Sequence, residues 1–170
     1  VNMDKESLEL TNGVNHAVIK LRGLYSVWSG AHGISYHEML VLYTIRENGF
    51  CTQKRVRESY LLPKQTINNV IKSMRERKLI EPDEVHSAGR EKAFRLTGSG
   101  TAYAAPLLES LDAVESRALE IVGRAKLKAL TDLLFEYDQA LSRSMSEIGW
   151  LSWNSLIFSE KKRLAEYSFA

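Results

Sequence analysis

Apolar positions recur at three- and four-residue spacing along most of this chain, which predicts a mainly helical protein. In residues 8–29 one stripe collects Leu10, Val14, Ala17, Val18, Leu21, Leu24, Tyr25 and Trp28, and Gly30 and Gly33 break the helix behind it. Ser35 is suited to cap a second helix, and Glu38 three residues on completes a capping box. Met39, Leu40, Leu42, Tyr43 and Ile45 form that helix's apolar side, and Asn48-Gly49 ends it. Thr52 is the next N-cap candidate, for a short helix Gln53–Tyr60 that turns Val56 and Tyr60 inward.

The pattern is most informative in residues 62–80. Pro63 suits the first helical position, where its missing N–H has no helical partner to lose. Ile67, Val70, Ile71 and Met74 share one face, while Gln65, Asn69, Lys72 and Glu76 point the opposite way, flanked by Asn68 and Ser73. Exposed amides can pair bidentately with adenine, and lysine neutralises phosphate. Leu62 has no capping oxygen, so the helix start requires another partner, the Thr66 hydroxyl or a phosphate. Two short helices joined by a tight turn, the second with the polar face, form a helix-turn-helix pattern. In residues 81–97 Phe94 and Leu96 alternate with Arg95, which predicts a β-hairpin whose turn is His86-Ser87-Ala88-Gly89. A hairpin directly after a helix-turn-helix is a wing, so the expected fold is mainly α with a small β-wing.

Thr97 or Ser99 opens a long helical region with the stripe Tyr103, Leu107, Leu108, Leu111, Val114, Ala118, Ile121 and Val122. Beyond a break at Gly123, Leu127, Leu130, Leu134, Tyr137 and Leu141 step like a coiled-coil seam. A small winged module explains neither helix. Apolar stripes at both ends predict terminal helices that pack together, most simply across a symmetric dimer. The remaining segment, 148–170, carries Trp150, Trp153, Phe158, Tyr167 and Phe169 around Lys161-Lys162-Arg163. It reads as a further packing element, with a partner-binding segment as the alternative.

Net charge is only +2, but residues 54–95 hold eleven Lys/Arg against six Asp/Glu. A basic middle in an acidic frame points to a polyanion. No apolar run reaches transmembrane length, no signal core opens the chain, and Cys51 is the single cysteine, all consistent with a cytoplasmic setting. The sequence contains no phosphate-cradling glycine loop, His-Glu-x-x-His or Gly-x-Ser-x-Gly, so no enzyme is expected. His16, His32, His37 and His86 are scattered without ligand spacing, so neither a metal nor another cofactor is expected. Cys51 reads as a packing thiol; a redox sensor is the alternative.

The order of these elements resembles the MarR family of winged-helix regulators. The resemblance lies in Leu62-Pro63-Lys64-Gln65-Thr66-Ile67-Asn68, in residues 74–80, and in Leu96-Thr97-Gly98-Ser99-Gly100, which looks like that family's post-wing Leu-Thr-x-x-Gly. It covers about residues 8–146. It implies a cytoplasmic homodimer on a pseudo-palindromic operator in double-stranded DNA, with recognition helices in major grooves and wings at minor grooves. Carried over by position, Lys64, Gln65, Thr66, Asn68, Asn69 and Lys72 would face DNA, with Arg90 as the wing arginine and Lys92 beside it. The family wing usually has an acidic residue shortly before that arginine; here Ser87, Ala88 and Gly89 precede it. The resemblance also implies a small aromatic effector between the DNA-binding lobe and the dimerisation helices. Tyr25, Trp28, Tyr36, Met39 and Tyr43 are the candidate lining, with plain core packing as the alternative. The expected organisation is one regulator domain, with the winged helix at 34–97, dimerisation helices at 8–30 and 98–147, and an extra segment at 148–170. The expected function is sequence-specific repression, released by the effector. The alternatives are a winged-helix protein–protein module and a redox- or metal-sensing DNA-binding regulator.

Overall fold

The computed structural model describes residues 2–148. The first helix, α1 (Lys5–Ala31), begins three residues before the expected start, because Asp4 caps it by accepting the Ser7 N–H at 2.8 Å. The next helix, α2 (Tyr36–Asn48), is the central element, with Met39, Leu40, Val41, Leu42 and Ile45 all buried. Its start is the expected cap, Ser35 Oγ accepting the Glu38 N–H at 3.0 Å, and Gly49 ends it in the left-handed region at φ 78°. A two-residue strand, β1 (Cys51–Thr52), then leads into α3 (Gln53–Tyr60), where Thr52 Oγ1 accepts the Arg55 N–H at 3.0 Å.

Leu61 takes a left-handed conformation at φ 50°, and the tight turn delivers α4 (Lys64–Glu76). Pro63 stands at the N-cap, one residue earlier than expected, and no side chain caps the helix. Ile67, Ile71 and Met74 are buried and Val70 is half-buried, which is the predicted inward face.

The wing consists of β2 (Ile80–Ala88) and β3 (Glu91–Leu96), and β1 adds to it as a third antiparallel strand in the order β1-β3-β2. Pro82 is tolerated because β2 is an edge strand. The expected turn at 86–89 is corrected. Asp83 pairs with Ala93 and Ala88 with Glu91, so residues 84–87 bulge opposite Lys92, and the turn itself is Gly89-Arg90. Asp83 causes the bulge: its Oδ1 accepts the N–H groups of Val85 and His86, bending the strand inside the arm.

Helix α5 (Gly98–Val122) follows, with Thr97 Oγ1 accepting the Gly100 N–H at 2.9 Å. After Gly123 comes α6 (Arg124–Glu147), none of whose residues is buried. The chain divides into two compact units at Leu108/Glu109. Of the aromatic segment expected at 148–170, residues 149–170 lie outside the described residues.

Candidate nucleic-acid interface

Helix α4 presents two ladders on its outer face. Gln65 Nε2 donates to Asn69 Oδ1 at 2.9 Å, and Lys72 Nζ stands 3.8 Å from Glu76. All four side chains are exposed, at the four-residue spacing that places them on one surface. An exposed ion pair of this kind contributes little and is screened by salt, so Lys72 can exchange Glu76 for phosphate at small cost. Thr66 and Asn68 are half-buried on the flanks.

The Asn68 flank opens into a groove of about 510 Å³ between the helices and the wing. Helix α3 contributes Gln53, Lys54 and Arg57, α4 contributes Lys64, Ile67, Asn68 and Arg75, and the wing contributes Arg90, Glu91, Lys92 and Phe94. Six cations thus line it with one carboxylate. That carboxylate is engaged, because Glu91 Oε1 accepts the Thr52 hydroxyl and ties β3 to the start of α3. Phe94 is buried beneath, with the Arg75 guanidinium 5.7 Å from its ring centroid. Among the described residues, Asn68 Oδ1 and Arg57 Nε are buried without hydrogen-bond partners. Leaving a buried polar atom unpaired costs about 1–3 kcal/mol, which a polar ligand in the groove would offset. A second depression of about 660 Å³, on the other side of Arg75, contains Glu76 and Glu81 among its lysines and has no comparable charge bias.

Of the residues singled out from the sequence, Lys64, Asn68, Arg90 and Lys92 meet in this groove, while Gln65, Asn69 and Lys72 stand exposed on α4. Arg90 lies in the two-residue turn, at the wing tip. Lys54, Arg57 and Arg75 were not anticipated. Arg75 was legible, since at about 100° per residue it shares a helix flank with Lys64 and Asn68. Lys54 and Arg57 carried no such signal, because only the packing of α3 against α4 brings them to the wing.

The wing is pinned from within. His86 Nδ1 lies 2.7 Å from Asp83 Oδ2, and the His86 ring stacks on Phe50 at 4.1 Å. The hydrogen bond from His86 holds the Asp83 carboxyl below its ordinary pKa. Ser87 Oγ donates to Asp83 O at 2.7 Å and accepts the Ala93 N–H at 3.0 Å, bridging the bulge.

The expected effector residues lie on α1 and α2, and neither groove described above is lined by any of them. Trp28 stacks on His32 at 4.2 Å, and its buried Nε1 has no hydrogen-bond partner among the described residues. The Arg22 guanidinium lies 5.4 Å from the Tyr36 ring centroid, and Arg46 lies 4.3 Å from that of Tyr43. Met39 is buried, and its sulfur accepts the Ser29 hydroxyl at 3.5 Å, while Tyr25 is half-buried with its carbonyl accepting from the same hydroxyl. Burial, and then Arg22, hold His37 below its ordinary pKa. Cys51 is fully buried, and burial pushes its thiol up to about 12, so it lacks the thiolate character that oxidant sensing requires. Among the described residues no group of His, Cys, Asp and Glu is arranged to hold a metal, and no helix is long and apolar enough to cross a membrane.

Comparison with known proteins agrees with this geometry. A MarR family model matches residues 32–90, the segment from the end of α1 to the wing tip. The structure of NMB1585, a MarR family regulator from Neisseria meningitidis, superposes with a TM-score of 0.73 at 29% identity, covering 80% of this chain and 96% of that one. PcaV of Streptomyces coelicolor, a transcriptional regulator solved with its natural ligand, gives 0.61 at 18% identity, covering 83% and 99%. A MarR variant from E. coli solved on operator DNA gives 0.60 at 14% identity, covering 81% and 99%. At those last two identities the likeness speaks for the fold. Among curated protein sequences none matches this chain. The helix-turn-helix, the wing on its three-stranded sheet and the order of the flanking helices are those of the MarR family of winged-helix, DNA-binding transcriptional regulators, which this chain resembles in sequence over the reading module and in fold over most of its length.

Proposed function

We propose that this protein is a homodimeric repressor that reads a pseudo-palindromic operator through α4 and is released by a small aromatic effector. The observation that carries the DNA assignment is the convergence of six cations from α3, α4 and the wing beside the exposed amides of α4. Gln65, Asn68 and Asn69 read base edges, with Thr66 beside them. Lys64, Lys72, Arg90 and Lys92 supply the phosphate and groove electrostatics, and Lys54, Arg57 and Arg75 join them. Residues 34–97 act as the reading module, and the helices at 8–30 and 98–147 join two copies. The aromatic cluster Tyr25, Trp28, Tyr36, Met39 and Tyr43 is the effector-responsive region, supported by the unpartnered Trp28 Nε1 and by the ligand-bound relative. An effector acts there only if it binds one arrangement of the protein more tightly than another.

Selection from a pool of random duplexes at near-physiological salt tests the reading. The expected result is a pseudo-palindrome with half-sites about one helical turn apart. On that operator, Asn68→Ala or Asn69→Ala should cost about 1–3 kcal/mol, with little change on random DNA. Equal losses on both duplexes would remove base reading from these amides. Lys72→Ala should weaken both alike and lower the salt slope by about one.

A further inference from the structure

The exit of α4 is fastened to a single buried carboxylate. Glu38, on α2, is only 6% exposed. Arg77, the residue that ends α4, donates from Nη1 to Glu38 Oε2 at 3.1 Å and from Nη2 to Oε1 at 2.5 Å. Tyr103, on α5, donates its hydroxyl to the same Oε1 at 3.0 Å, and the Arg77 guanidinium sits 5.1 Å from the Tyr103 ring centroid. Three elements distant in sequence therefore meet at one side chain. None of the three residues lines the basic groove.

A buried carboxylate is tolerated only where its donors are correctly placed, and losing one of them leaves an uncompensated charge. The planar guanidinium matches the carboxylate in one bidentate geometry, so the contact specifies direction as well as distance. Burial and the Glu38 charge hold the Tyr103 hydroxyl above its ordinary pKa, and the Glu38 hydrogen bond does the same for Arg77, so both donors keep their protons around neutrality.

We infer that Glu38 is a positioning residue for DNA reading: through Arg77, and braced by Tyr103, it sets the angle at which α4 presents Gln65, Asn68 and Asn69 to base edges. This rests on the reading of α4 as the recognition helix. Base-edge hydrogen bonds weaken steeply with misalignment, whereas phosphate attraction tolerates displacement. Loosening the contact should therefore lower discrimination between operator and random DNA rather than DNA affinity as a whole.

The test uses the full chain as wild type, Glu38→Gln, Tyr103→Phe and the double variant Glu38→Gln/Arg77→Gln. Each is titrated onto the selected operator and onto a random duplex across a salt series, with helical content checked by circular dichroism. Glu38→Gln is expected to lower operator affinity about tenfold and random-duplex affinity less than about twofold, with an unchanged salt slope. Tyr103→Phe should move the ratio the same way by about threefold, and it keeps the test open if Glu38→Gln folds poorly. Adding Arg77→Gln should change little, since the pair is already broken. A folded variant with the wild-type ratio overturns the inference. So does a flattened salt slope on adding Arg77→Gln, which would make Arg77 a phosphate contact instead. If the wild-type chain selects no operator, the recognition-helix reading fails and takes this inference with it.

Discussion

At the scale of single residues, the environment separates groups that the sequence leaves equivalent. Cys51 follows a glycine-ended helix and enters another, a place where a thiolate can be favoured, yet it pairs with Phe94 in the sheet and is wholly buried. Its folded pKa, about 12, lies above the ordinary 9.0, so the neutral thiol is the stable form in the fold. The stability this thiol contributes is complete below pH 9 and is lost as pH rises from 9 toward 12, because only the unfolded chain then ionises freely. We expect a thiol reagent at pH 8 to label the native protein more than about a hundredfold slower than the urea-unfolded chain, and peroxide to leave the DNA complex intact. Rapid native labelling, or release by peroxide, would restore the sensor reading. The amides of α4 were legible from residue type and spacing alone. That Asn68 turns a buried, unpaired oxygen toward the groove while Asn69 is held by Gln65 was not, because such partners depend on rotamers and neighbours.

At the scale of elements, the post-wing motif shows what two similar glycines do. A Cβ on Gly100 would stand 1.8 Å from the Leu79 carbonyl oxygen, whereas one on Gly98 would meet nothing within 4 Å. The first turn of α5 crosses the end of the α4–β2 connection at that point, and the Thr97 N–H donates to the same Leu79 oxygen at 3.0 Å. Backbone cannot retreat as a flexible side chain does, so Gly100→Ala should cost about 3 kcal/mol or more. Gly98→Ala should stay within about 0.5 kcal/mol. Urea unfolding of the two variants decides it, and equal midpoints would refute the close approach. Helix positions were readable throughout because their period and their caps are local. The wing turn was not. The sequence predicts it at His86-Ser87-Ala88-Gly89, whereas the tip is Gly89-Arg90, because the Asp83-centred bulge breaks the alternation that marks a strand. Strand β1 was missed for a related reason: two residues are too few to show a period.

At the scale of the molecule, large apolar side chains stand exposed along one stripe of each terminal helix: Leu10, Val18, Leu21 and Leu24 on α1, and Leu127, Leu130, Tyr137 and Leu141 on α6. Contiguous apolar faces of this kind mark interfaces, and a second copy is the occupant that the proposed function requires. Sedimentation should show a dimer for the wild type and a shift to monomer for Leu130→Glu/Leu141→Glu. Operator affinity should fall with it, as two linked half-site contacts become single ones. Because both leucines are already exposed in the single chain, at 45% and 43%, the double variant should keep its helical content; a monomeric wild type would defeat the dimer reading. What the sequence determined by itself was local: the helix positions, the caps at Ser35 and Thr52, the inward and outward faces of α4, and an excess of basic charge in residues 54–95, since these follow from period, residue type and short-range hydrogen bonding. What only the tertiary structure decided was which distant groups meet. The approach of α3 to the wing, the convergence of Arg77 and Tyr103 on Glu38, and the burial of Cys51 arise from packing between segments tens of residues apart, and no local pattern encodes which partner a side chain finds across that distance.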